Sequence, residues 1–206
     1  MIVDYKAGNV RSVQRACQHL GMEADIVADP DLVRKADKLI FPGVGSAESA
    51  IDTLAASGLD QAIVEFYHSG KPLLGICLGL QIALDRTAEG GRECLGLVPG
   101  TCERFEFSNT SADNTIKVPQ IGWNSVELTG EHPMLKKSHS GDEFYFVHSY
   151  YAKPKDDIHT LGLTNYGGQR FAAIIAKDNF FATQFHLEKS GQLGLNLLSC
   201  FADWKG

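Results

Sequence analysis

Gly75-Ile76-Cys77-Leu78-Gly79 sets a cysteine between two glycines, behind an apolar run and ahead of a helix-like segment. Pro72-Leu73-Leu74-Gly75-Ile76 reads as a short buried strand, and Leu78 to Asp85 reads as the start of a helix. A side chain at such a junction is pushed out on a sharp turn, the mechanics of a nucleophile elbow with sulfur in place of a serine hydroxyl. The flanking glycines let the backbone turn tightly and let a substrate come close. The positive end of the following helix favours thiolate over thiol. Free cysteine in apolar surroundings is often inert packing, so a nucleophile needs a base. Thr183-Gln184-Phe185-His186-Leu187-Glu188 offers one, far along the chain. Residues two apart on an extended segment share a side. Glu188 can then hold one ring nitrogen of His186 while the other faces the thiol. Nucleophile, base and orienting carboxylate follow in the order Cys77, His186, Glu188, the logic of a catalytic triad. His148 is the rival base, but it has no carboxylate two residues away.

These groups need a frame to bring them together. The first half of the chain alternates strand and helix signals. Ile2-Val3-Asp4 predicts a strand, and Asn9 to Leu20 an amphipathic helix stopped by Gly21. Glu23 to Val27 predicts a second strand, with Asp29-Pro30 opening a helical turn. Lys38 to Phe41 predicts a third strand, ending in Pro42-Gly43-Val44-Gly45. Helices are expected over Ser46 to Ser57 and Leu59 to Ser69, ahead of the Pro72 strand. After Glu89-Gly90-Gly91 short β-prone runs take over: Cys102 to Phe107, Asn124 to Leu128, Glu143 to Ser149, Thr160 to Leu163, Phe171 to Ala176 and Phe180 to Phe185. A helix over Ser190 to Trp204 closes the chain. The expected fold class is α/β: an open mixed, mainly parallel sheet flanked by helices, with a smaller antiparallel β extension. Ligands gather at the carboxyl ends of strands in such sheets. The Pro42 to Gly45 turn and Cys77 both lie at such ends, so the peptide N–H groups of Gly43, Val44 and Leu78 are candidate oxyanion donors.

Composition narrows the function classes. The 206 residues suggest one domain, with 44% hydrophobic and 21% charged residues, ordinary for a chain that buries a real core. A net charge of -6 without a basic stripe argues against nucleic acid, since Arg34-Lys35 and Lys136-Lys137 are isolated pairs. Cys17, Cys77, Cys94, Cys102 and Cys200 form an odd set without tight spacing, which argues against a disulfide framework or zinc cluster and for a reducing cytoplasm. The histidines besides His148 and His186 show no metal-ligand spacing, so no metal is expected. Met1-Ile2-Val3-Asp4 reads directly as a strand, with no targeting segment expected before it. The longest apolar run, Leu73 to Leu84, is broken by Gly75, Gly79 and Gln81 and falls short of the roughly 20 residues of a membrane span.

Taken together, Gly75 to Gln81, the Pro42 to Gly45 loop and His186-x-Glu188 resemble the class I (triad-type) glutamine amidotransferases. Further segments resemble the branch of that family whose members feed a (β/α)₈ cyclase subunit in histidine biosynthesis. These are Asp4-Tyr5-x-Ala7-Gly8-Asn9-x-x-Ser12-Val13, Phe41 to Gly45, Pro119-Gln120-Ile121-Gly122-Trp123-Asn124, Tyr145 to Tyr150, and Gln184-Phe185-His186-x-Glu188-Lys189-Ser190. The resemblance implies hydrolysis of glutamine through a thioester on Cys77, with His186 moving protons and Glu188 orienting it. It implies that Gly45, Gln81, Glu89, Ser149 and Tyr150 hold glutamine, and that Asn9, Trp123, Tyr145 and Lys189 lie at or near the partner interface. The ammonia would pass to the cyclase, which makes imidazole glycerol phosphate and an aminoimidazole carboxamide ribonucleotide; no cofactor is implied. Two positions depart from the family pattern. Leu187 stands where proline is usual, and Gln120 where histidine is frequent.

Overall fold

The structure is a computed structural model that describes residues 1–6, 8–107 and 116–206. Ala7 of the opening motif lies outside the described residues. Alternating apolar strands and amphipathic helices build the first half: β1 (Ile2–Val3), α1 (Val10–His19), β2 (Ile26–Val27), α2 (Pro30–Lys35), β3 (Leu39–Gly43), α3 (Ala47–Ser57), α4 (Leu59–His68) and β4 (Leu73–Cys77). Local signals set these boundaries. The Asp29 carboxylate accepts the Asp31 N–H at 2.8 Å ahead of Pro30, capping α2. Gly58, at φ 72°, ends α3 and admits α4.

The remainder comprises α5 (Leu78–Gln81), β5 (Arg86–Thr87), β6 (Gly100–Arg104), β7 (Gln120–Ser125), β8 (Glu127–Leu128), β9 (Glu143–His148), β10 (Tyr150–Pro154), β11 (Thr160–Tyr166), β12 (Gln169–Lys177), β13 (Phe180–Thr183) and α6 (Gly191–Asp203). The main sheet runs β2-β1-β3-β4-β13-β12-β10-β6-β5, with β11 and β8 branching from β12. Strands β2, β1, β3, β4 and β13 pair in parallel, and β13, β12, β10 and β6 pair antiparallel. A separate two-stranded antiparallel sheet joins β7 to β9. This is the mixed, mainly parallel arrangement with helices and a small antiparallel addition that the sequence pattern implies.

Because successive strand residues face opposite sides, β4 feeds two cores. Leu73 packs with Phe41, Leu54 and Phe66 on one face; Leu74 and Ile76 pack with Val13, Phe146, Phe185 and Leu197 on the other. Three local expectations change. The helix after Cys77 is a single turn, because the carbonyls of Ile82, Ala83 and Leu84 accept N–H groups of Leu95, Leu97 and Gly96 instead of continuing a helix. The run Glu143 to Ser149 is strand β9, but a further strand, β10, follows it at once from Tyr150 and leaves for the other sheet. Most consequentially, the late strand β13 enters the middle of the sheet beside β4, with Thr183 opposite Ile76.

Candidate active site

Cys77 is the last residue of β4 and carries φ 54°, ψ −101°, outside the usual range of a residue with a side chain. Such a conformation costs about 1–3 kcal/mol and persists only where the surroundings over-determine it. Here β4 is gripped on both sides, with Gly43 of β3 directly opposite Cys77. The two flanking glycines work differently from the expectation that they admit substrate. A Cβ on Gly79 would fall 1.9 Å from the Phe41 carbonyl oxygen, and one on Gly75 would fall 2.9 Å from Ala182 Cβ. They let the elbow and its strand press against β3 and β13. With only one helical turn behind Cys77, the sequence argument from a helix dipole also loses most of its force.

The candidate base His186 and its carboxylate are delivered by a turn, not by an extended strand. Strand β13 stops at Thr183, and residues Leu187–Lys189 form a 3₁₀ turn. That turn brings Glu188 Oε1 back onto His186 Nδ1 at 2.7 Å. Ser190 Oγ braces it by donating to the His186 carbonyl at 2.6 Å and accepting the Tyr145 N–H at 3.0 Å. The His186 N–H in turn donates to the Tyr145 carbonyl at 3.0 Å. The Asn9 side-chain amide also donates to Glu188 Oε1, so Asn9 reaches the carboxylate directly. Leu187 turns its side chain into the core, 1% exposed.

Burial opposes protonation of His186, yet the Cys77 sulfur and the Glu188 carboxylate together raise its pKa from 6.5 to about 10. Nε2 makes no closed hydrogen bond among the described residues. The sulfur is its strongest favourable electrostatic neighbour. His148 behaves in the opposite way. Burial lowers it to about 4, partly opposed by its bond to the Tyr150 carbonyl. Its Nδ1 lies 2.8 Å from that carbonyl and its Nε2 lies 3.1 Å from the Gln120 amide, so both ring nitrogens are engaged away from the sulfur.

A cavity of about 560 Å³ opens over the elbow. Asn9, Val44, Gly45, Cys77, Leu78, Gln81, Glu89, Ser149, Tyr150 and Lys189 all border it. Glu89 is fixed there by the Ala47 N–H at the start of α3, at 2.7 Å, which occupies one of its two oxygens. Gly43 sits behind the wall, where a Cβ would fall 1.9 Å from the Tyr5 hydroxyl. Trp123 and Tyr145 lie on the outer surface, their rings 6.2 Å apart, with Lys189 Nζ 5.8 Å from the Tyr145 ring centre. Trp123 is 56% exposed and Ile121, two residues earlier on β7, is 63% exposed.

One neighbour of the sulfur was not among the sequence candidates: Gln184, fully buried, whose Nε2 lies 3.6 Å from Cys77 Sγ. Its signal was the polar pair Thr183-Gln184 set inside the apolar run from Phe180 to Phe185.

The family described as glutamine amidotransferase class-I matches residues 1–202. An imidazole glycerol phosphate synthase subunit HisH of Desulfovibrio desulfuricans is 45% identical over 204 residues, covering 98% of this chain and 93% of that protein. One from Nitratidesulfovibrio vulgaris is 46% identical over 201 residues, covering 97% and 94%. Among solved structures, PurLQS of Thermotoga maritima superposes with a TM-score of 0.74 at 18% identity, covering 98% of this chain and 96% of that one. A crystal structure titled glutamine amidotransferase superposes with a TM-score of 0.71 at 17% identity, covering 98% of each chain.

Proposed function

The chain belongs to the class-I glutamine amidotransferase family, and from that premise we propose that it hydrolyses glutamine and supplies the ammonia to a cyclase subunit within imidazole glycerol phosphate synthase. The observation that carries this reading is Cys77 on the cavity wall with His186 behind it, bonded to Glu188 and biased toward its protonated form by the sulfur and the carboxylate.

A thiolate on Cys77 and a proton on His186 make the starting pair. The sulfur attacks the side-chain amide carbon of glutamine, forming the C–S bond as the carbonyl electrons move onto oxygen. Peptide groups of Gly43, Val44 and Leu78 stabilise that oxyanion, a contribution worth about 10²–10³ in rate per donor. As the adduct collapses, His186 gives its proton to the amide nitrogen, the C–N bond breaks and ammonia leaves. The neutral imidazole then takes a proton from water, whose oxygen attacks the thioester carbon. The C–S bond breaks, releasing glutamate and restoring the thiolate and imidazolium. Glu188 keeps the imidazole oriented through Nδ1 and stabilises its charge.

The free oxygens of Gln81 and Glu89 suit the glutamine ammonium, since the other ends of both groups are tied down. Gly45, Ser149 and Tyr150 line the same cavity and receive the carboxylate end. A (β/α)₈ cyclase covers the face carrying Asn9, Trp123, Tyr145 and Lys189, and uses the ammonia to form imidazole glycerol phosphate and aminoimidazole carboxamide ribonucleotide. Exposed tryptophan and isoleucine on one strand face are typical anchors for such contacts. The same reading takes residues 1–206 as one glutamine amidotransferase domain that acts in the cytoplasm and needs no cofactor. Its unpaired cysteines suit a reducing compartment, and among the described residues no helix is long and apolar enough to cross a membrane.

The test is a Cys77→Ala variant assembled with the cyclase. Glutamine-dependent synthesis should vanish while ammonia-dependent synthesis persists. Turnover of glutamine by that variant would remove Cys77 from the mechanism.

A further inference from the structure

Buried side-chain amides are ambiguous donors and acceptors until a group of fixed polarity decides for them. The Tyr150 carbonyl is such a group, because it can only accept. Gln81 approaches it at 2.8 Å and must therefore present its nitrogen. That same nitrogen lies 3.2 Å from the Gln184 side chain, which must then present its oxygen. Gln184 is left with its nitrogen toward Cys77 Sγ, at 3.6 Å. His148 approaches the same carbonyl with Nδ1 at 2.8 Å and must donate there. One backbone oxygen thus sets the direction of the bonds that run through Gln81 and Gln184 to the sulfur.

We propose that Gln184 is a catalytic residue of this site: its amide donates to the Cys77 sulfur and holds it as an oriented thiolate, with its direction imposed by the Tyr150 carbonyl through Gln81. The proposal rests on Cys77 being the nucleophile. Gln184 is 0% exposed, and among the described residues its side chain has no hydrogen-bond partners besides Gln81 and Cys77. Both of its side-chain bonds therefore end at residues of the site. Hydrogen bonds to a charged group are stronger than neutral ones, so the donor favours the thiolate over the thiol and restrains where it points. It does so without taking part in proton transfer. His186 exchanges a proton with the reaction, whereas an amide keeps its own.

The experiment is the rate of Cys77 alkylation by iodoacetamide across a range of pH, in the full chain, with peptide mapping to separate Cys77 from the other cysteines. Gln184→Met keeps the volume and removes the donor. Alkylation of Cys77 near neutral pH should fall about ten- to a hundredfold, the size expected for a bond to a charged acceptor, and should recover as pH rises. Gln184→Glu, which turns the donor into an acceptor, should fall further. Gln81→Met leaves Gln184 in place but frees its orientation, and should give a smaller loss with the same recovery at high pH; iodoacetamide needs no glutamine site. Wild-type rates in Gln184→Met at every pH, or a loss that is the same at every pH, would overturn the proposal. Should Gln184→Met not fold, an unchanged Gln81→Met profile overturns it instead. If Cys77→Ala retains glutamine turnover, the failure lies in the nucleophile assignment and not in Gln184.

Discussion

Two imidazoles lie buried in this molecule near the same elbow, and their surroundings drive them in opposite directions. His148 sits among the rings of Phe105, Phe146 and Phe171, 5.2 to 5.6 Å between centres, and burial takes its pKa down to about 4. His186 is equally inaccessible, but the Cys77 sulfur and Glu188 carboxylate overcome burial and take it up to about 10. Burial alone therefore says nothing about which histidine handles protons. What separates them is whether the neighbours are acids or amides. His148 lies between a backbone carbonyl and the Gln120 amide, uncharged groups that do not offset its burial. His186 is bonded to a carboxylate and coupled to the charge of the Cys77 sulfur, groups that hold a charged ring.

The largest expected effect comes from erasing that difference at its source. Glu188→Gln should cost about 10³–10⁴-fold in glutamine-dependent turnover, by analogy with neutralising the third member of a serine triad. In the same variant the imidazole resonances of His186 should titrate at lower pH, while those of His148 stay put. If His186 titrates as in the parent, the carboxylate is not what lifts it. A smaller effect belongs to His148. Its folded value lies below the unfolded 6.5, so the stability tied to its neutrality is complete above 6.5 and is lost as pH falls toward about 4. Urea unfolding at stepped pH should show a loss on the order of 3 kcal/mol across that window, absent in His148→Gln. An acid limb of equal size in the variant would assign the loss elsewhere.

The half of the chain that builds the elbow is far more legible than the half that supplies the proposed base. Residues of β3 and β4 form continuous buried runs, β3 ending in Gly43 and β4 in Cys77, and the strand-to-helix junction at Cys77 follows from local pattern alone. What Gly75 and Gly79 do was not visible, because the atoms they make room for, Ala182 Cβ and the Phe41 carbonyl, are distant in sequence or on another strand. The pairing of His186 with Glu188 was anticipated from a period of two, but the chain achieves it with a 3₁₀ turn braced by Ser190. Periodicity cannot reveal such a brace, since it depends on a hydroxyl bonding across to β9. Nor could local pattern place β13 next to β4, the register that sets Gln184 and His186 beside the sulfur. Motif resemblance filled that gap where physics read along the chain could not.

A milder test addresses the alkaline side. His186 is raised in the fold, so its contribution to stability is complete below 6.5 and disappears as pH climbs toward about 10. Melting temperatures of the parent should fall over that interval. Cys77→Ala removes the strongest of the groups that raise the imidazole, so the fall should shrink and shift to lower pH. A slope identical to the parent's would mean the sulfur and the imidazole are not electrostatically coupled.

The smallest expected effect concerns a third buried polar group packed against the same elbow. Tyr5 is 3% exposed, its ring 5.4 Å from that of Phe41, and its hydroxyl has no hydrogen-bond partner among the described residues. Burial, and then the Cys77 charge, hold that phenol well above its ordinary range, so it stays neutral. Where His148 is buried with both nitrogens engaged, Tyr5 is buried with its oxygen unbonded among the described residues. An unsatisfied buried hydroxyl costs about 1–3 kcal/mol, and deleting it relieves that cost while the ring keeps its packing. Tyr5→Phe should therefore be neutral or stabilising by up to about 1–2 kcal/mol in urea unfolding. His148→Phe, which removes two satisfied nitrogens and strands the Tyr150 and Gln120 groups, should be destabilising. If Tyr5→Phe loses stability instead, the hydroxyl is bonded in solution. In that case Tyr5 and His148 would be alike, and only His186 would stand apart.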